Sequence, residues 1–171
     1  RYYFRLNGDY DHQHSYLYQE LPLFDFHKRP SQNFFMVSPK DERGINCRFG
    51  MAGTIAEAHY DVSRNFIAVL GGQRRYILSS PKSCVNMCLY PMHHPSGRHS
   101  RVDWTEPQQA VEDCPEFGSG TVNEVVLEPG DVLYLPTHWI HFIISLNINY
   151  QCNARSGTTW EYQSLVEACG F

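Results

Sequence analysis

Three residues carry the first chemistry this sequence suggests. His59 and Asp61 flank Tyr60 in the run EAHYDVS, and His141 stands much later, in THWIHFIIS. On an extended strand, residues two apart project to the same face, so His59 and Asp61 point together and Tyr60 points away. One imidazole and one carboxylate on one side are two-thirds of a facial triad. That ligand set suits non-haem iron(II) and leaves positions open for substrate and oxygen. The pair alone is a weak signal, because nine His and eight Asp in 171 residues give roughly 0.4 such pairs by chance. His141 strengthens it. It follows the turn-forming Pro129-Gly130-Asp131 and opens the strand-like run HFIISL, so its ring can aim into the same interior. His138, two residues after Pro136, competes for the third position but is expected to lie before the strand begins.

Strands must position these side chains, and the sequence supplies them. INCRFGMAGTIAEAHYD reads as strand, glycine-containing turn, strand. NFIAVL is short and apolar, a strand by length and bulk. Gly71-Gly72 separates it from QRRYILS, which predicts a hairpin with a tight turn at positive φ. Residues 81–119 are rich in Pro, Gly, His and Ser and are expected as a long excursion over the surface. His93, His94 and His99 fall on it, where they could edge a substrate groove. VNEVVLEPGDVLYLP and HFIISLNINYQCNA resume the strands, and TTWEYQSLVEACGF predicts a terminal helix. Residues 1–45 are a less certain flank, with a short helix or irregular entry at SYLYQELPLFDF and with His12 and His14 on a solvated loop. Short strands, Gly/Pro turns and few helical patterns predict an all-β barrel or sandwich.

Composition bounds the rest. At 171 residues the chain is one domain's worth, with 42% hydrophobic and 19% charged residues, an ordinary globular balance. A net charge of −4 demotes nucleic acid as a partner, although a local basic patch can sit inside a negative total. Six cysteines include no C-x-x-C pair, which argues against a zinc ribbon or a thioredoxin-like motif. A domain this long does not need staples, so the cysteines are expected as reduced, mostly buried thiols, with Cys84 and Cys88 incidental. No apolar run reaches membrane-spanning length and no signal peptide is visible. The chain starts at Arg1 rather than Met and reads as a piece of a longer protein.

Two segments, in order, resemble a known family. GTIAEAHYDVSRNFIAVLGGQRRYIL is similar to the iron-binding strands of the JmjC and cupin-like oxygenases, which use iron(II) and 2-oxoglutarate. LEPGDVLYLPTHWIHFIISL resembles that family's second metal segment, and LYPMHHPSGRHSRVDW its connecting loop, with the asparaginyl-hydroxylase type as the nearest branch. The resemblance covers roughly residues 46–157. It implies a double-stranded β-helix, the jelly-roll cupin barrel, with minor helices and a single domain over 1–171. It implies His59, Asp61 and His141 as iron ligands and catalytic centre, 2-oxoglutarate and molecular oxygen as co-substrates, and hydroxylation of a protein side chain. With no membrane span and no strong nucleic-acid signal, an intracellular setting, cytoplasm or nucleus, is the expectation.

The same resemblance assigns the co-substrate contacts. Arg74 occupies the place of the family's lysine, fifteen positions after the first His, and alternation puts it inside with Arg75 in solvent. Ala56 replaces a threonine that helps bind the same carboxylate. Tyr16 matches the family's tyrosine donor, with Tyr18 nearly as good, and Asn65 and Asn153 match asparagines lining the co-substrate space. The departures at Arg74 and Ala56 leave two other readings open: a metal-binding module without turnover, and a metal-dependent cupin enzyme that does not use 2-oxoglutarate.

Overall fold

The computed structural model describes residues 1–8, 16–24, 42–157 and 162–170. His12 and His14 lie outside the described residues. Among the described residues, nine strands form two antiparallel sheets: β1 (Tyr3–Asn7), β2 (Glu42–Gly50), β3 (Ile55–Tyr60), β4 (Arg64–Gly71), β5 (Arg74–Ser79), β6 (Asn123–Leu127), β7 (Val132–Leu135), β8 (Ile140–Ser145) and β9 (Asn149–Ser156). One sheet runs β1-β2-β9-β4-β7 and the other β3-β8-β5-β6. This is the jelly-roll architecture that the resemblance implies, within the all-β class that the strand pattern predicts. Helices are short: α1 (Tyr16–Glu20), α2 (Pro107–Asp113) and α3 (Gln163–Ala168).

Side-chain alternation builds a core on each side of the sheets. Ile67 and Val69 of β4 meet Tyr76 and Leu78 of β5 between the two sheets. The other face of β4, with Phe66 and Ala68, packs outward beneath Leu17 of α1 and Phe24. Both faces of β4 are covered, which is why NFIAVL reads as a continuous apolar run rather than an alternating one. On the outside of the second sheet, Ala58, Tyr60, Ile140 and Phe142 pack against Cys84, Met87, Val102, Trp104 and Ala110. Complete burial of a side chain such as Phe142 is worth about 1.5–3 kcal/mol.

Three expectations are corrected. Gly71-Gly72 is no hairpin turn, because β4 and β5 belong to different sheets and the glycines carry the chain across the corner. A Cβ on Gly71 would lie 2.0 Å from the Tyr150 ring, and Gly72, at φ +69°, would place one 2.2 Å from the Ile148 carbonyl oxygen. The 81–119 excursion does run over the outside of the second sheet, but it is packed there rather than left bare. Its apolar side chains form the outer core just described, and Trp104 Nε1 donates to Ser100 Oγ at 3.0 Å. The cysteines are not free thiols: Cys47–Cys152, Cys84–Cys169 and Cys88–Cys114 are disulfides, and no cysteine is left unpaired. Two of these bonds tie the excursion to itself and to the end of α3. The sequence pattern hid them because the partners are far apart along the chain.

Candidate metal centre

His59 on β3 and His141 on β8 are direct partners across the two strands, with ring centroids 4.3 Å apart. Asp61 sits one residue past the end of β3, on the same side as His59. One ligand atom from each of the three lies within 4.8 Å of the others. Backbone geometry fixes both ring tautomers. His59 Nδ1 lies 2.7 Å from the Glu57 carbonyl oxygen, and His141 Nδ1 lies 2.9 Å from that of Trp139. A carbonyl can only accept, so each Nδ1 carries the proton and each Nε2 keeps a lone pair for a metal. Asp61 Oδ2 is buried and makes no well-directed hydrogen bond. A buried carboxylate beside two lone-pair nitrogens fits a divalent cation. His138 is placed elsewhere. Its backbone N–H donates to the Asp61 carbonyl, and its ring packs beside Tyr60 at 5.6 Å.

The electrostatics agree with that fit. Burial drives the His141 imidazole down to about 3, and the neighbouring His59 pushes the same way. Burial also lowers His59, against its hydrogen bond to Glu57 and the pull of Asp61. Both rings are therefore neutral, the form that ligates. Burial alone would raise the Asp61 carboxyl, but the Arg155 guanidinium beside it holds it below its ordinary value. Arg155 lies 2.6 Å from Asp61 Oδ2, and Arg98 lies 3.7 Å from Oδ1.

A second group of residues gathers around Arg74 at the start of β5. Alternation holds: Arg74 is 4% exposed, while Arg75 faces outward to Glu124 at 2.6 Å. Arg74 Nε donates to Asn149 Oδ1, and its Nη2 is buried without a partner. Gly50 faces that nitrogen, and a Cβ there would sit 3.5 Å from Nη2 and 3.1 Å from Ser145 Oγ, so the glycine keeps a small cradle open. Thr54 Oγ1 is also buried without a partner and lines the same cavity as Ala56. A guanidinium with its Nη2 unpaired, an orphan hydroxyl and an open cradle fit a carboxylate. Beneath them the Tyr76 hydroxyl donates to Gln151 Oε1 at 2.5 Å.

Not every predicted residue arrives. Tyr16 lies on α1, 57% exposed and apart from the cavity, whereas Tyr3 of β1 lines it. Asn65 lines the cavity and accepts from Asn153 Nδ2 at 2.8 Å, while Asn153 stands behind it, fully buried, and accepts from Arg48. The two asparagines bond each other rather than the backbone. From the excursion, His99 stacks on His59 at 5.2 Å and also lines the cavity, but His93 and His94 do not.

The cavity lined by His59, Asp61, His141, Thr54, Asn65 and Arg74 measures about 590 Å³. A cupin-like domain model matches residues 3–156. The chain belongs to the cupin-like domain family. Relatives of this cupin-like domain are JmjC proteins and a tRNA-modifying protein. It is 35% identical over 112 residues to Lysine-specific demethylase 8 of Xenopus tropicalis, covering 65% of this chain and 24% of that protein. It is 32% identical over 119 residues to Jumonji C domain-containing protein 5 of Drosophila melanogaster, covering 66% and 28%. It is also 32% identical over 107 residues to tRNA wybutosine-synthesizing protein 5 of Danio rerio, covering 62% and 30%. The chain thus spans about a quarter of the length of the curated relatives it matches. Escherichia coli ycfD shares the fold, with a TM-score of 0.53 at 17% identity over 94% of this chain and 35% of that one.

Sequence reasoning missed Thr54, Tyr3, Asn149 and Ser145 on the cradle side of the cupin-like domain, and Arg5, Arg48 and Arg155 around it. Thr54 lies two residues before Ala56, so alternation from Ala56 could have flagged it. The others depend on strand pairing between distant segments, for which the sequence holds no local signal.

Proposed function

We propose that this cupin-like domain is an iron(II)- and 2-oxoglutarate-dependent oxygenase that hydroxylates a protein side chain. One observation carries the reading: a single cavity contains both the His59–Asp61–His141 triad and a buried Arg74 Nη2 with no partner. With iron(II) and 2-oxoglutarate bound, such a site couples loss of carbon dioxide from the co-substrate to hydroxylation, one oxygen atom entering succinate and the other the substrate.

The chain's own residues prepare that chemistry. His59, Asp61 and His141 would hold the metal on one face, with their protonation states already set. Arg155 keeps Asp61 ionised and oriented. Arg74 would take the far carboxylate of 2-oxoglutarate, its charge shielded from water and its guanidinium fixed by Asn149. Thr54 offers the hydroxyl that Ala56 lacks, which favours co-substrate binding over a module without turnover. Asn65 lines the space between. The carried-over expectation of a protein substrate rests on the family's JmjC members. All six cysteines being paired supports an oxidising compartment over cytosol or nucleus.

Anaerobic titration with iron(II) and then 2-oxoglutarate tests the reading. A visible charge-transfer band that needs both ligands, vanishes in His59→Ala and weakens in Arg74→Gln is expected. Iron binding without the band would remove the 2-oxoglutarate reading. Trapping the native cysteines with an alkylating agent before and after reduction, read by mass, tests the compartment.

A further inference from the structure

The cavity holds more positive charge than a metal and a dicarboxylate can use. Its described lining has five arginines, at 5, 48, 74, 98 and 155, against Glu57 and Asp61, a surplus of three. The whole chain stands at −4, so everything outside that lining totals −7. A divalent cation and a dianionic co-substrate cancel, and the surplus of three remains after both have bound. Arg74 belongs to the cradle, and Arg98 and Arg155 to Asp61. Arg5 and Arg48 serve neither.

These two arginines are direct partners across β1 and β2, and both line the cavity. Arg48 donates to the neutral carboxamide of Asn153, and Arg5 lies 5.9 Å from the centre of the Tyr3 ring. Among the described residues no carboxylate pairs with either. Like charges directly opposite in an antiparallel pair destabilise a sheet. An anion lying between them reverses that sign, and two guanidinium forks match the planar oxygens of a carboxylate or the oxygens of a phosphate.

We propose that the substrate presents a compact oxyanion, carboxylate or phosphate, to Arg5 and Arg48. Calling the ligand a substrate rests on the oxygenase reading above; the anion site does not. The charge distribution selects a compact anion over a nucleic acid. A polyanion binds along a positive stripe that tracks its backbone, whereas here the cavity lining carries a surplus of three and the rest of the chain nets −7. An acidic or phosphorylated side chain and a free small acid share this chemistry, and the test separates them.

The domain carrying iron(II) and saturating 2-oxoglutarate is titrated anaerobically by calorimetry. The probes are inorganic phosphate, acetate, a peptide with a central aspartate or phosphoserine, its asparagine and serine counterparts, and a single-stranded oligonucleotide. Charged probes are expected to bind at least about tenfold more tightly than their neutral counterparts, the range for one charge-assisted contact. That preference should collapse in Arg5→Gln and Arg48→Gln and survive in Arg48→Lys, while the visible band stays in place. Tighter binding of the charged peptides than of phosphate and acetate assigns the oxyanion to a protein side chain; the reverse assigns it to a small acid. Equal affinity for charged and neutral probes would overturn the proposal. So would a preference unchanged in Arg5→Gln, an edge-strand variant with no buried role, or tighter binding of the oligonucleotide than of every compact probe. If the band never forms yet the arginine-dependent preference persists, the oxygenase reading falls and the anion site stands.

Discussion

His59 and His141 each donate Nδ1–H to a carbonyl two residues back, so the nitrogens left free for a metal are set by strand geometry. Replacing either ring with Ala should therefore abolish stoichiometric iron binding while leaving the fold intact, as judged by circular dichroism and metal analysis. Arg74 differs in kind, because it is charged, buried and partly unpaired. Arg74→Gln should weaken 2-oxoglutarate binding by about 10–100-fold, the worth of a charge-assisted hydrogen bond, and leave iron stoichiometry unchanged. Arg74→Lys should recover part of that loss, since the charge stays and the fork is gone. Calorimetric titration of 2-oxoglutarate into the metal-loaded variants reads both effects. His59 and Asp61 were legible from a period of two, His141 from its place at the start of a strand after a turn, and Arg74 from the resemblance's spacing together with alternation along β5. Tyr16 was misplaced because the residue that reaches the cavity, Tyr3, does so through β1–β2 pairing, which joins segments separated by about 40 residues in a way no local pattern records.

Element boundaries show the same division. Strands β3, β4, β5 and β8 stand where bulk and alternation put them, and Pro129-Gly130-Asp131 does turn between β6 and β7. The partner of each strand was another matter. Gly71-Gly72 has the composition of a hairpin turn, yet it serves a corner between sheets, and only the packing of Tyr150 and Ile148 against it reveals the difference. Gly72→Ala tests that role. Positive φ and a carbonyl oxygen in the space of the new methyl group should together cost about 1–3 kcal/mol, read as a lower denaturation midpoint. A hairpin turn free of β9 would tolerate Ala with only the φ penalty. The excursion was read as surface because of its Pro, Gly and His content, but its few apolar residues are the ones that matter. They are spaced to meet Tyr60, Ile140 and Phe142, and they hold Arg98 and His99 at the edge of the cavity.

On the scale of the whole molecule, stability and metal site share their pH dependence. His59, His138 and His141 all have lowered values in the folded chain, each chiefly through burial. A depressed folded value means that the unfolded chain binds protons first. The stabilisation is complete above the ordinary value of 6.5 and is lost as pH falls toward the folded values, the lowest being about 3 for His141. The metal-free chain should therefore melt at progressively lower temperature below pH 6.5, and iron should flatten the decline by holding the rings deprotonated. The disulfides add a separate, pH-independent constraint. They span sequence separations of 105, 85 and 26 residues. By loop-closure entropy each restricts the unfolded chain by about 3–5 kcal/mol, most for Cys47–Cys152 and least for Cys88–Cys114. The loops overlap, so the three effects will not add. Cys47 and Cys152 are also direct register partners on β2 and β9, the strands that bring Arg48, Gln151 and Arg155 to the cavity. Replacing both with Ala should lower the unfolding free energy most of the three pairs, measured by denaturant titration at fixed pH and metal. It should also weaken co-substrate binding, as the β2–β9 face loosens. Replacing Cys88 and Cys114 should cost less and leave the cavity's ligands unaffected unless Arg98 and His99 move. If the short loop proves the costlier one, packing of the excursion rather than chain entropy sets the role of these bonds, and His99 stacking on His59 becomes the contact to probe next.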